Sequence, residues 1–127
     1  MHLQEQWFHG KMVRSRAENL LKENRHLGDG TFLVRESETF VGDYTLSFWR
    51  REKAKHCRIK TKKEGCGEKI KFLLVDTIPF NSLDSLITYY RSHPLISPVS
   101  RKLVKLEVEK SRLFKNLAKM LGLRISH

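Results

Sequence analysis

Arg35 constrains this chain more than any other residue. It stands inside the apolar run Thr31-Phe32-Leu33-Val34-Arg35-Glu36-Ser37, which has the composition of a central strand. A guanidinium does not lose its proton, and a charge buried without a partner is strongly unfavourable. Something must therefore meet Arg35. The residues that follow, Ser37-Glu38-Thr39-Phe40-Val41-Gly42-Asp43, form a loop rich in hydroxyls and free amides. Two readings stay open at this point. One is a phosphate clamp, because the planar fork of arginine matches phosphate oxygens bidentately. The other is a structural ion pair between Arg35 and Glu36 or Glu38.

The rest of the chain supplies a frame for that strand. Ser15-Arg16-Ala17-Glu18 reads as a capping box, with Ala17, Leu20 and Leu21 at helical spacing and Gly28 as the stop. Strands are predicted over 31–36, over the alternating Tyr44–Arg50, over 55–60 behind a charged turn, and over 70–75. Residues 61–69 read as a polar loop. Asn81 or Ser82 caps a second helix in which Leu83, Leu86, Ile87 and Tyr90 recur at i, i+3, i+4 and i+7, and Pro94 ends it. Short connections between the strands suit an antiparallel meander. A sheet with two apolar faces needs cover on both, and two helices supply it. The expectation is an α+β fold, a central antiparallel sheet flanked by two helices, over residues 1–108. Beyond it lies a basic tail, 109–127. A closing strand fits 102–108, and Ser111 to Gly122 fits an amphipathic helix carrying Leu113, Phe114, Leu117, Met120 and Leu121 on one face.

Charge narrows the class of partner. The 127 residues carry a net +11, concentrated in two places: a surplus of seven over 50–63 and of six over 101–127. Such patches favour anionic ligands such as phosphates, acidic lipid or nucleic acid, although solvated Lys and Arg on exposed strand faces explain each run as well. No apolar run approaches the roughly 20 residues of a membrane span, and no secretion leader is recognisable. Cys57 and Cys66 make no metal set and fit a reducing compartment. No Walker loop or dinucleotide fingerprint is present. His56-Cys57 begins like a tyrosine-phosphatase signature, but Lys63 stands where the phosphate-holding arginine belongs and no Gly-rich cradle lies between. No catalytic residue, metal or cofactor is expected.

Taken together, Trp7-Phe8-His9-Gly10-Lys11, the capped helix, Phe32-Leu33-Val34-Arg35-Glu36-Ser37 and Phe80-Asn81-Ser82-Leu83 resemble the Src homology 2 (SH2) family of phosphotyrosine-binding modules. Residues 37–49 and His56-Cys57-Arg58-Ile59 are most similar to the N-terminal SH2 domain of the phospholipase C gamma type. The resemblance implies roles. Arg35 would grip two phosphate oxygens. Arg14 would pack on the phosphotyrosine ring and reach the phosphate. Ser37 and Thr39, with loop amides from Glu38 onward, would complete the cradle. Thr45 would line the pocket, Arg58 flank the ring and His56 form a wall, with Trp7 as framework. Phosphotyrosine carries about −1.5 to −2 charges and three strong acceptor oxygens, which suits such a donor set.

Peptide selectivity would come from the other half of the sheet. Cys57 is too small to block an apolar groove, so by similarity hydrophobic residues are favoured at the first and third positions after the phosphotyrosine. Leu74, Tyr89 and Leu95 are further groove candidates, with loops 75–79 and 94–100 around them. The expected partners are tyrosine-phosphorylated receptor or adaptor peptides, with weak acidic-phospholipid binding as a secondary property, no specific nucleic acid, and a monomeric module. The expected location is the cytoplasm, with recruitment to the plasma membrane on tyrosine phosphorylation. The competing function is polyanion binding through 50–63 and the tail.

Overall fold

The structure is a computed structural model describing residues 6–63, 65, 69–75, 77–95 and 105–107. Its elements run β1 (Phe8–Lys11), α1 (Arg14–Glu23), a 3-10 turn (Arg25–Leu27), β2 (Phe32–Glu36), β3 (Tyr44–Arg50), β4 (Lys53–Lys63), β5 (Ile70–Leu73), β6 (Pro79–Phe80) and α2 (Leu83–Ser92).

The expected antiparallel meander is present in β2 to β5, and β1 and β6 extend it to a six-stranded mixed sheet in the order β1-β2-β3-β4-β5-β6. β2 to β6 are antiparallel neighbours, but β1 lies parallel to β2, with the Val34 amide donating to the Trp7 carbonyl at 2.9 Å. Phe-His-Gly-Lys carries no alternation of apolar and polar residues, so periodicity passes over it. β4 is also longer than its pattern, because Thr61, Lys62 and Lys63 continue the ladder with β5 instead of forming a loop. The β3–β4 hairpin turns on Arg51 and Glu52, both at positive φ (49° and 64°). That strain is offset where the Arg51 amide donates to Asp29 Oδ1 at 3.0 Å.

Helix α1 does not use its capping box. Its cap residue is Val13, which makes no side-chain cap bond, and Ser15 lies inside the first turn. The Arg14 amide instead donates to the carboxylate of Glu38, 24 residues away, at 2.7 Å. The helix starts ahead of the expected box, at Arg14, and its first free amide is satisfied by a side chain from the β2–β3 loop. Helix α2 follows its sequence signal: Ser82 Oγ accepts from the Ser85 amide at 3.0 Å.

The sheet separates two cores. Phe32, Val34, Leu46, Phe48 and Ile59 pack with Leu83, Leu86, Ile87 and Tyr90 of α2 into the larger one, which also holds Trp7, Leu95 and Leu106. On the other face Leu33 and Trp49 meet Met12 and the α1 residues Ala17 and Leu21 in a smaller cluster. Of the closing strand expected over 102–108, only 105–107 are among the described residues, and they form no strand. They are seated by single backbone bonds, Leu106 N–H to Tyr90 O (2.9 Å) and Glu107 N–H to Gly30 O (3.0 Å). The tail helix and residues 109–127 lie outside the described residues.

Candidate functional site

Strand register builds the site. On the α1 face, Arg35 of β2 sits opposite Thr45 of β3, which sits opposite Arg58 of β4. One step along, Leu33, Ser47 and His56 form a parallel row. The face is therefore apolar under α1 and turns polar at the sheet end where the 37–43 loop arches over. A recess of about 180 Å³ opens there, lined by Arg14, Arg35, Ser37, Glu38, Thr39, Phe40, Thr45, His56, Cys57 and Arg58. All eight residues expected at a phosphotyrosine pocket come together in it.

Arg35 is only 3% exposed. Its Nε donates to Ser47 Oγ at 3.2 Å and its Nη1 to the Met12 carbonyl at 3.2 Å. Its Nη2 lies 3.5 Å from His56 Nδ1. A guanidinium has five N–H groups, so a second N–H on each terminal nitrogen is left for other partners. Glu38 faces one of them, its Oε1 3.6 Å from Nη1, an ion-pair distance longer than a hydrogen bond. Burial pulls the pKa of Arg35 below its ordinary value, with the Glu38 carboxylate opposing that shift.

His56 orients this arginine. Its Nε2 is 3.0 Å from Glu18 Oε2, and its Nδ1 is 2.8 Å from Ser47 Oγ. Burial pulls the His56 pKa below 6.5, against the opposing hydrogen bond to Glu18. The ring is accordingly neutral at pH 7. The Glu18 carboxyl is held below its usual range by its bonds to His56 and Arg14, so it is an ionised, accepting group. Nε2–H therefore donates to Glu18, and Nδ1 accepts from Ser47. The Ser47 hydroxyl hydrogen is thus committed, leaving its lone pairs to receive Arg35 Nε–H.

Two expected ligand groups are already engaged. Arg14 Nε pairs with Glu18 at 3.3 Å, on a largely exposed side chain. Arg58 donates from Nε to Asp43 Oδ2 at 2.7 Å, and its guanidinium lies 3.6 Å above the Phe40 ring. Asp43 also accepts from the Thr61 amide (2.9 Å) and hydroxyl (2.8 Å). These bonds outweigh the opposing effect of burial and hold its carboxyl below the usual range. Ser37 Oγ accepts from the Phe40 amide at 3.0 Å, which fixes the loop. Sequence reading missed Glu18, Asp43, Ser47 and Phe40. For Glu18 a signal existed, an acid one helical turn beyond Arg14; a serine in an alternating strand gives none.

The groove candidates lie on the α2 side. Cys57, Leu74 and Tyr89 are partly buried against the large core. Burial pushes the Cys57 thiol up, which keeps it protonated at neutral pH. Tyr89 stacks on His93 with centroids 4.0 Å apart. Leu95 is 2% exposed and belongs to the core itself, with almost no surface to offer a groove.

A profile described as the SH2 domain matches residues 7–90. The chain belongs to the SH2 family. SH2 domains are non-catalytic modules that bind phosphotyrosine. Among curated proteins, the SH2 chain is 50% identical over 95 residues to 1-phosphatidylinositol 4,5-bisphosphate phosphodiesterase gamma-2 of Rattus norvegicus. The human counterpart shows the same identity, and a Caenorhabditis elegans phosphodiesterase gamma is 35% identical over 95 residues. These matches cover 72%, 72% and 75% of this chain but 7% of each relative, so the SH2 chain corresponds to a small part of those enzymes. Among solved structures, the SH2 domain of a CRK/CRKL homolog from Monosiga brevicollis superposes with a TM-score of 0.62 at 34% identity, covering 80% of this chain and 82% of that one.

Proposed function

We propose that this SH2 module docks a signalling protein on tyrosine-phosphorylated receptors or adaptors, with Arg35 as the principal phosphate ligand. The observation that carries this reading is a permanently charged, 3%-exposed side chain opening into a recess. Arg14, Ser37, Thr39, the loop amides from Glu38 onward, Thr45, His56 and Arg58 complete the pocket in the roles the family resemblance implies. Hydrophobic residues at the first and third positions after the phosphotyrosine fit the α2 side of the sheet, where Cys57, Leu74 and Tyr89 are partly buried against the core that holds Leu95. The module spans 1–108. The seating of Leu106 and Glu107 supports that boundary, and 109–127 is an appended tail. It acts as a monomer in the cytoplasm and carries its parent protein to the plasma membrane when receptors are phosphorylated. Any phospholipase chemistry of such a parent lies outside this chain.

Polyanion binding is the second reading. Lys53, Lys55, Lys60, Lys62 and Lys63 are all exposed along β4, Lys53, Lys55 and Lys63 on one face of the strand and Lys60 and Lys62 on the other, and such a run of cations favours acidic lipid headgroups. Titration of a phosphotyrosine peptide and its unphosphorylated twin at low and high salt separates the two. A pocket discriminates between the peptides and keeps much of its affinity in salt. A polyanion surface loses affinity steeply with salt and ignores a single phosphate. Equal binding of both peptides would refute the docking reading.

A further inference from the structure

Glu38 contributes its backbone and its side chain to the same recess, and the two have opposite electrostatic sense. Its amide belongs to the loop that would cradle a phosphate. Its carboxylate sits where an anion would sit: Oε1 accepts from the Arg14 amide at 2.7 Å and stands 3.6 Å from Arg35 Nη1. The Arg14 amide is the first of a ten-residue helix, the positive end of its dipole. Arg35 is the nearly buried cation on the other side. A carboxylate bridging these two groups makes part of the contact set a phosphoryl group needs. The Glu38 side chain is 47% exposed, so it has free space to swing into.

We propose that the Glu38 carboxylate is a resident competitor of phosphate: it fills the anion site of the empty domain and leaves before a phosphotyrosine is seated. This rests on the phosphotyrosine reading above and adds to it a residue that sets affinity. Binding is then an exchange of one anion for another. The measured affinity equals the intrinsic affinity reduced by the fraction of molecules whose site is vacant. A dianion with three acceptor oxygens outcompetes the carboxylate, whereas singly charged anions gain little from the exchange. The device therefore screens the pocket against carboxylates and small anions.

The test is calorimetric titration of the full chain with phenyl phosphate and with a phosphotyrosine peptide bearing apolar residues at the first and third following positions. Wild type is compared with Glu38→Ala, Glu38→Gln and Glu38→Asp. A helix-capping contact is worth about 1 kcal/mol, so its loss should tighten binding by about fivefold. The gain should be equal for both probes, because Glu38 faces the phosphate alone. Glu38→Asp is decisive. It keeps the negative charge but is one methylene too short to reach the Arg14 amide with the loop in place, so a competitor predicts a gain there too. No gain in Glu38→Asp would reduce the effect to charge repulsion and overturn the proposal. So would unchanged or weakened binding in Glu38→Ala, or a gain confined to the peptide. Failure of wild type to discriminate phosphorylated from unphosphorylated peptide would be a separate result, sinking the phosphotyrosine reading itself. Melting curves of each variant without ligand establish that it is folded. The Arg14 amide resonance provides a second readout: it should shift in Glu38→Ala and, in wild type, on adding phenyl phosphate.

Discussion

Ser47 holds Arg35 from the side: its Oγ accepts from the guanidinium Nε at 3.2 Å while lying 2.8 Å from His56 Nδ1. The two residues are on neighbouring strands, one step out of register, so they meet diagonally on the α1 face. With His56 bonded in turn to Glu18, three side chains from two strands and a helix hold the one cation of β2 in place. The arrangement orders the site before any ligand arrives, which lowers the entropy lost on binding.

This relay makes stability depend on acidity. Burial depresses the His56 pKa below 6.5, so between that value and its folded pKa the unfolded chain binds a proton the folded one does not. Stability must then fall as pH drops through that window. The lowered Glu18 pKa acts in the same direction but only below about 4.5, so it does not confuse the signal. The melting temperature should be lower just below pH 6 than above pH 7, and His56→Gln should flatten the slope. An unchanged slope in the variant would remove His56 as its source.

The two helices differ in how they begin, and mutation should expose it. Ser82→Ala removes an observed cap and should destabilise by about 1 kcal/mol in denaturant titration. Ser15→Ala removes half of a box that does not form and should stay within about 0.5 kcal/mol. Equal losses would mean the box forms after all.

Gly30 joins the β2 entry to the returning segment 105–107. It stands at φ +93°, and an added Cβ would come within 2.6 Å of the Lys105 carbonyl. Gly30→Ala should therefore both strain the backbone and push that segment away, for a loss of about 1–3 kcal/mol. Hydrogen exchange at the Leu106 and Glu107 amides should speed up with it. Unaltered exchange would separate those residues from the folded module.

Asp43 is the anchor of Arg58. Asp43→Ala frees that guanidinium and leaves the Thr61 amide and hydroxyl without their acceptor. A stability loss of about 1–3 kcal/mol is expected, seen as an earlier denaturant midpoint. A neutral outcome would mean that water replaces the carboxylate fully.

Much of this was readable from the chain. Arg35 declared itself because a charge in an apolar run needs a partner, and the structure shows it lining a recess with the Glu38 carboxylate at ion-pair distance. The Leu83–Tyr90 helix followed its period because it buries one regular face, and Tyr44–Arg50 was recognisable by its strand-forming residues although both of its faces are buried. β1 did not, since four residues without alternation are recognisable only by the strand they join. The capping box misled because a local motif carries no information about a competing acceptor 24 residues away. Ser47 was illegible for a related reason: its significance lies in strand register, which only the fold supplies.

The central claim is tested most directly by titrating a phosphotyrosine peptide, with apolar residues at the first and third following positions, into wild type and Arg35→Lys. Lysine keeps the charge but cannot make a bidentate contact. Losing one charge-assisted hydrogen bond of about 1.5–3 kcal/mol predicts roughly a 10- to 150-fold weaker complex, with no measurable binding of the unphosphorylated twin by either protein. A folded Arg35→Lys variant that binds as tightly as wild type would contradict the account.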